Sequence, residues 1–160
     1  LILRDIELLK RMSNLKVAFS INTLDDAFRA GMDKGSSIKN RLHAIEKLHN
    51  AGIHTVLFIS PIFPYITEWK DIIDGTKENV CEYWFENLNL RGEYKSSILS
   101  YINTHYPDLK EKYETIYLEK DSTYWNTLAD LLNTYCDEQG LNYVNYFYHE
   151  KLVKKKLNNQ

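Results

Sequence analysis

Short polar side chains follow three apolar, strand-like stretches of this sequence, at the points where the stretches end. They are Ser20 and Asn22 after the first stretch, Ser60 in the second, and Asn87, Asn89 and Arg91 after the third. Because side chains on a strand alternate between its two faces, residues two apart point the same way. Amides and hydroxyls suit a ligand rich in hydroxyl and amino groups, and an arginine can hold a carboxylate or phosphate through two bonds. The sequence therefore predicts a ligand site along this edge.

Arg41 is a further candidate for the same site. It lies in the first turns of the helix predicted after the Ser20 strand, and in a strand–helix unit the helix begins on the side where the strand ended. Its side chain can therefore reach back to the edge. Two plainer interpretations stay open: polar residues are common wherever a strand leaves the core, and an arginine beside Lys39 and Asn40 is commonly a solvated surface residue.

Strand and helix patterns alternate along the chain, which predicts an α/β fold with parallel strands. We expect strands at 16–22, 53–60, 81–89 and 142–148, and helices at about 4–13, 38–50, 67–77, 93–104, 108–118 and 122–138. Ser36, Ser37 and Thr67 are the predicted N-caps, and Gly52 and Gly140 are helix-end signals. The stretch from Asp25 to Ser37 is expected to be a long polar loop. Residues 1–150 are predicted to be one domain and residues 151–160 a basic tail.

Composition limits the classes of function. Twenty basic and twenty-two acidic side chains give a net charge of −2, so no overall cationic field draws the protein to nucleic acid. Cys81 and Cys136 are in neither disulfide-framework nor metal-ligand spacing, which favours a reducing compartment. With no apolar run long enough to span a membrane, we expect a soluble, cytoplasmic protein. No metal site is predicted within this chain, and its amphipathic first residues indicate a piece of a larger protein.

Several segments resemble one family. The run from Val17 to Thr23, the Gly-containing stretch after it, the Ser37 to Leu42 segment, Ala51-Gly52-Ile53 and the run from Ile59 to Ile62 are similar to radical S-adenosylmethionine proteins. The similarity is strongest to the spore photoproduct lyase-like group, often labelled DNA repair photolyase. It spans roughly residues 1–91 and the order of elements beyond.

The resemblance implies the C-terminal half of a partial (β/α)6 TIM-like barrel, with extra C-terminal helices. Family enzymes hold a [4Fe–4S] cluster on a C-x-x-x-C-x-x-C loop, which this chain lacks, and cleave S-adenosylmethionine to a 5′-deoxyadenosyl radical. By position, Ser20 and Asn22 resemble contacts to the ribose or methionyl part of the cofactor, and Arg41 resembles the arginine that holds its carboxylate. Asn87, Asn89 and Arg91 would face cofactor or substrate, although they match no general family motif.

The predicted function is therefore that of a fragment of an iron–sulfur lyase, inactive alone. Nucleic acid is the expected substrate class, and flavodoxin or ferredoxin the expected electron donor of the full-length enzyme. No membrane partner is expected. A different class of function stays open, because the same polar edge could bind a small metabolite in a module that performs no radical chemistry.

Overall fold

The computed structural model describes residues 2–32 and 34–147, apart from the side chain of Glu93. Its strands are β1 (Lys16–Ser20), β2 (His54–Ile62), β3 (Glu82–Asn87) and β4 (Tyr143–Asn145). After a 3₁₀ turn at Ile2–Asp5, the helices are α1 (Ile6–Leu9), α2 (Asp26–Met32), α3 (Ile38–Asn50), α4 (Trp69–Asp74), α5 (Gly92–His105), α6 (Lys110–Tyr117) and α7 (Thr123–Glu138). A second 3₁₀ turn, Pro107–Leu109, precedes α6.

The four strands form one parallel sheet in the order β1-β2-β3-β4, the same order as in the sequence. Crossover connections between parallel strands are right-handed in nearly all proteins. Here three such crossovers all step in one direction, so their helices all lie on the same face of the sheet. The order of the strands therefore explains why the helices gather on one side.

One face of the sheet is covered by these helices. Up to Ile59 its side chains are odd-numbered, with Leu57 and Ile59 from β2 and Tyr83 and Phe85 from β3, all at most 1% exposed. After a register shift in β2, the buried side chain is the even-numbered Ile62. They share a single apolar cluster with residues of α3, α4, α5, α6 and α7. Burial of this much apolar surface against helices is the main stabilising contribution expected in such a fold.

The opposite face carries the even-numbered side chains. Ala18 and Ser20 on β1 are exposed, and Phe58, Trp84 and Glu86 are half-buried. Val56, in the middle of this face, is fully buried but belongs to neither of the two apolar clusters in which helix residues take part. Among the described residues no helix packs on this side, which we call the helix-free face.

The α/β prediction with parallel strands is confirmed, and so is the helix predicted at 38–50. Ser37 caps α3, since its Oγ accepts a bond from the Asn40 backbone N–H at 3.3 Å. After the helix, Gly52 has a φ of 77°, which glycine adopts at little cost. Strong end signals located this helix correctly.

Three other predictions are wrong. The stretch from Asp25 to Ser37 is not all loop, because Asp25 accepts bonds from the backbone N–H groups of Ala27 and Phe28 and starts α2. Thr67 does not cap α4; its hydroxyl accepts a bond from Phe63 N–H, which closes the preceding turn. The first helix is also shorter than predicted, since its regular part ends at Leu9.

Strand ends also differ from the prediction. β1 ends at Ser20 rather than at residue 22, and β3 ends at Asn87 rather than at residue 89. β4 has three residues within the predicted stretch 142–148, whose last residue lies outside the described part of the chain. The predicted basic tail, residues 151–160, also lies outside it.

Candidate functional site

The carboxyl ends of the first three strands meet at one edge of the sheet, where polar side chains of the helix-free face lie. Ser20 ends β1, and Glu86 is the next-to-last residue of β3. Between them, the register of β2 shifts, because Ile59 pairs with Phe85 but Ile62 pairs with Asn87. Two residues of β2, Ser60 and Pro61, thus lie opposite one residue of β3. Such bulges redirect side chains near functional sites.

Arg41 reaches back from α3 to the end of β1, as the sequence predicted by position. Its Nη1 donates to the Ser20 carbonyl at 2.8 Å, and its Nε donates to the Ser36 carbonyl at 2.9 Å. Ser20 and Arg41 line a cavity of about 800 Å³ along the outer side of β1, together with Ala18, Ser36 and Asn40. The guanidinium is therefore held at the end of β1 by bonds to backbone carbonyls.

Asn22 lies just beyond β1 and points across to β2. Its Nδ2 donates to the Pro61 carbonyl at 3.1 Å, which joins the end of β1 to the bulge of β2. This bond fixes the amide and leaves its carbonyl oxygen available for other contacts. Asn22 thus belongs to the same edge as Ser20, although it does not line the cavity that Ser20 and Arg41 share.

The three residues predicted to contact the substrate surround a second cleft, of about 820 Å³. Asn87, Asn89 and Arg91 line it, and Arg91 Nε donates to Asn89 Oδ1 at 3.2 Å. Only Asn87 lies on β3, so strand alternation does not bring them together. The loop into α5 does. The prediction that these three residues lie together is correct, but the predicted cause, alternation along one strand, is wrong.

The same cleft gathers charged groups from α5 and from the α6–α7 connection. Lys95, Lys120, Asp121 and Glu86 all line it. Lys95 Nζ donates to the Tyr117 carbonyl at 2.9 Å, and Asp121 is occupied at the start of α7, where it accepts bonds from the Thr123 backbone N–H and hydroxyl. Bonding to a neutral carbonyl does not cancel the charge of Lys95, so the cleft keeps cationic groups near Arg91.

Buried aromatic side chains make the inner wall of this cleft rigid. The Tyr117 hydroxyl donates to the Leu88 carbonyl at 3.0 Å, and burial raises the pKa of Tyr117 far above its ordinary value. Trp125, 8% exposed, packs edge-on against Phe147 at 5.4 Å. At neutral pH this wall is uncharged and offers aromatic surface.

A hydrogen-bonded pair at the carboxyl edge was not predicted from the sequence. Ser60 Oγ donates to Glu86 Oε2 at 2.6 Å, across β2 and β3. Both side chains belong to the helix-free face. One sequence feature could have indicated this pair, because Glu86 is an acidic residue inside an apolar, aromatic run. The prediction instead selected the odd-numbered amides that follow it.

The opposite end of the helix-free face carries a charged network. Glu82 accepts bonds from Lys16 Nζ and, at 2.8 Å, from Trp84 Nε1, and His54 Nε2 lies 3.3 Å from its Oε2. Burial acts to raise the pKa of Glu82, but the bonds from Lys16, Trp84 and His54 together outweigh it and leave the pKa below its ordinary value. The network joins three strands and holds the Trp84 indole in place.

Neither cysteine is arranged as a metal ligand. Cys136 is buried in the core on α7, and burial raises the pKa of its thiol to about 11. Cys81 is half-buried, with its sulfur 3.6 Å from the Thr55 hydroxyl and 3.7 Å from His49 Nδ1. Across residues 2–32 and 34–147, no group of three His, Cys, Asp or Glu side chains is placed to hold a metal ion.

The helices of the described part of the chain are also too short or too polar to cross a bilayer; none of them has the length and apolar character required.

Comparison with known proteins finds one informative similarity. The chain is 32% identical over 137 residues to the uncharacterized protein MJ0683 of Methanocaldococcus jannaschii. The aligned region covers 84% of this chain and 49% of that protein. The chain thus spans about half the length of the curated relative it matches. No family model and no solved structure matches. The name of the relative states no activity, so the functional argument depends on the site.

Proposed function

We propose that this chain is the carboxyl-terminal part of a radical S-adenosylmethionine enzyme of the spore photoproduct lyase-like group, acting on nucleic acid or a related substrate. The observation that carries the proposal is the sheet: four parallel strands in sequential order, with helices on one face and polar groups gathered at the carboxyl ends of the other. Barrels are wound in this order, and their ligands bind at the carboxyl ends of the strands.

The proposal of a barrel goes beyond the observed parallel sheet. Sequential winding leaves β1 and β4 as edges, whereas a doubly wound sheet would change direction in the middle and carry helices on both faces. In a barrel, the helix-free face would be the inner wall. This assignment accounts for half-buried polar and aromatic side chains on a face that no described helix covers.

The cofactor contacts proposed within this chain are Ser20, Asn22 and Arg41. Bonds to the Ser20 and Ser36 carbonyls orient the Arg41 guanidinium beside the cavity that it shares with Ser20. That geometry fits an arginine that binds the carboxylate of a methionyl group. Ser20 supplies a hydroxyl at the same position, and Asn22 steadies the adjoining strand end.

The iron–sulfur cluster does not fit the residues of this chain. Two cysteines cannot form the expected set of three ligands, and the buried Cys136 thiol resists ionisation. In this proposal the cluster and its cysteine loop belong to the part of the protein that the chain does not include, and the roughly half-length match to MJ0683 leaves room for such a part. We also propose a cytoplasmic location, with flavodoxin or ferredoxin as electron donor.

The test separates the two halves of the proposal. After anaerobic reconstitution, the 160-residue chain is expected to remain colourless and bind no iron, whereas the whole protein becomes brown and converts S-adenosylmethionine to 5′-deoxyadenosine. Stoichiometric cluster uptake by the chain alone would contradict the assignment of its role. A whole protein without iron and without 5′-deoxyadenosine formation would contradict the enzyme class.

A binding module without radical chemistry is the second candidate. The observation in its favour is that two clefts, of about 800 and 820 Å³, are formed by residues of this chain alone. Sites of this size accept small metabolites. If the whole protein lacks the three-cysteine loop and still binds a metabolite at Ser20 or Arg91, this candidate replaces the enzyme.

A further inference from the structure

Three aromatic rings form a row across the helix-free face. Phe58 on β2 packs edge-on against Trp84 on β3, with ring centroids 6.0 Å apart, and Trp84 packs edge-on against Tyr146, just after β4, at 6.1 Å. The bond from Trp84 Nε1 to Glu82 fixes the indole against the sheet. We name Phe58, Trp84 and Tyr146 the aromatic row. Neighbouring rings are nearly perpendicular, at 80° and 87°, so a flat, unpaired base can stack on the face of one ring of the row, with the next ring at its edge.

A carboxylate lies on the same face, two residues beyond Trp84. Glu86 accepts the Ser60 hydroxyl bond at 2.6 Å, which orients the group but uses only one of the roughly four lone-pair positions of a carboxylate. An ionised carboxylate accepts hydrogen bonds and cannot donate one. The group beside the aromatic row therefore favours ligands that present N–H donors and disfavours those that present acceptors.

Space for such a ligand exists beside these residues. Glu86 and Tyr146 also line the cleft of about 820 Å³ that contains Arg91, Lys95 and Lys120. A ring on the aromatic row thus lies next to a cleft whose cationic groups suit a phosphate. Aromatic rings, a carboxylate and cations are suited, respectively, to the base, to its N–H edge and to the phosphate of a nucleotide.

We propose that the helix-free face binds an unpaired purine base, with guanine preferred, stacked on the aromatic row and donating its edge to Glu86. This inference deepens the proposed function and rests on its nucleic acid substrate class. Guanine presents N1–H and its exocyclic amino group side by side, so both can donate to one carboxylate. Adenine presents an acceptor at N1 beside a single amino group, and that acceptor would face the negative charge.

The test uses the 5′-monophosphates of guanosine, inosine and adenosine, which share sugar and phosphate and differ only in the base. Binding to the whole protein is measured by calorimetry without iron or S-adenosylmethionine. Guanosine monophosphate is expected to bind at least about tenfold more tightly than adenosine monophosphate, which is about 1.4 kcal/mol. Inosine monophosphate, which keeps N1–H and lacks the amino group, is expected between them.

Variants assign the preference to residues. Glu86→Gln places a donor at the carboxylate position and is expected to remove most of the difference between guanine and adenine, whereas Glu78→Gln, an exposed control, leaves it unchanged. Trp84→Leu is expected to weaken all three nucleotides by about tenfold, and Trp69→Phe, on α4, is its control. Circular dichroism verifies that each variant is folded.

Each outcome decides the proposal. Equal affinity for the three nucleotides, an adenine preference, or no binding in the wild-type protein would overturn it. The comparison of the three nucleotides uses the wild-type protein alone, so it is valid even if a variant does not fold. If the guanine preference holds while 5′-deoxyadenosine is never formed, the radical enzyme assignment fails and this site stands. If 5′-deoxyadenosine is formed but no nucleotide binds, the site fails and the enzyme class stands.

Discussion

The two faces of the sheet differ in almost every physical property, although the same four strands form both. The covered face packs Leu57, Tyr83 and Phe85 against helices with almost no exposure. The helix-free face pairs a carboxylate with a hydroxyl at one end and holds a charged network at the other. The comparison shows how one strand can place apolar side chains against helices and polar side chains on the opposite face, because alternate residues point to opposite sides.

Polar groups on the covered face follow the rule for a core. The Tyr83 hydroxyl lies 2.9 Å from the Thr76 hydroxyl, and burial raises the pKa of Tyr83 far above its ordinary value. The Tyr113 hydroxyl donates to the Pro64 carbonyl at 3.0 Å. These groups are satisfied within the protein and stay neutral. The Ser60–Glu86 pair differs, since its carboxylate retains acceptor positions at the open edge.

The largest predicted effect tests whether stability resides in the covered face. Phe85→Ala removes a fully buried ring and is expected to lower the free energy of unfolding by about 3–5 kcal/mol. Phe58→Ala, the matched change on the helix-free face, removes a half-buried ring and is expected to cost about 1–2 kcal/mol. Urea denaturation of both variants measures the difference. Equal losses would show that the two faces do not divide these roles.

Local signals predicted much of the fold. The sequence located α3 because Ser37 supplies a cap and Gly52 a helix end. It missed α2 because that helix has one buried anchor, Phe28, whose partner Phe63 lies 35 residues away, at a centroid distance of 5.1 Å. No periodic pattern can report contacts that one side chain makes at long range.

The choice of face could not be predicted from the sequence. The run Tyr83-Trp84-Phe85 is aromatic at every position, so it lacks the polar and apolar alternation that identifies a buried side. Which residues face the helices depends on the direction of three crossovers, a property of the whole sheet. For this reason the sequence predicted Asn87 and Asn89 as site residues and did not predict Glu86. Ser20 was correctly predicted to lie at the carboxyl edge of the sheet.

The second prediction concerns the proposed cofactor contacts at the end of β1. In the whole protein, Arg41→Ala is expected to weaken S-adenosylmethionine binding by about 1.5–3 kcal/mol, the range for a charged hydrogen bond. Ser20→Ala is expected to cost about 1 kcal/mol, as for a neutral bond. Calorimetry measures both, with exposed Arg11→Ala as the control. Unchanged affinity in both variants would contradict a role of Arg41 and Ser20 in cofactor binding.

The third prediction uses the charged network at the other end of the helix-free face. Glu82→Gln is expected to lower the free energy of unfolding by about 1–2 kcal/mol at pH 7, because Lys16 loses its charged partner. The pKa of Glu82 in the folded protein lies below its ordinary value of 4.5. Its stabilisation is therefore present above about pH 4.5 and is lost as the pH falls through the lowered value.

Urea denaturation from pH 7 to pH 3 checks this behaviour. The curves for wild type and Glu82→Gln should converge as the carboxylate is protonated, whereas Glu78→Gln, an exposed change, should follow the wild type at every pH. A gap between wild type and Glu82→Gln that stays constant down to pH 3 would show that packing, rather than charge, accounts for the effect of Glu82.

The smallest expected effect concerns nucleic acid and the cations beside the helix-free face. With a net charge of −2, contacts to phosphates are few, and the salt dependence of binding should correspond to roughly two to four phosphates. Arg91→Gln should reduce that slope by about one and weaken binding by less than about tenfold, equally for all sequences.

Deleting residues 151–160, which include Lys151, Lys154, Lys155 and Lys156, should flatten the slope further. Titrations of the whole protein with single- and double-stranded DNA and RNA across a salt series measure both effects, and a complete lack of binding at low salt would favour a small metabolite or peptide as the substrate class.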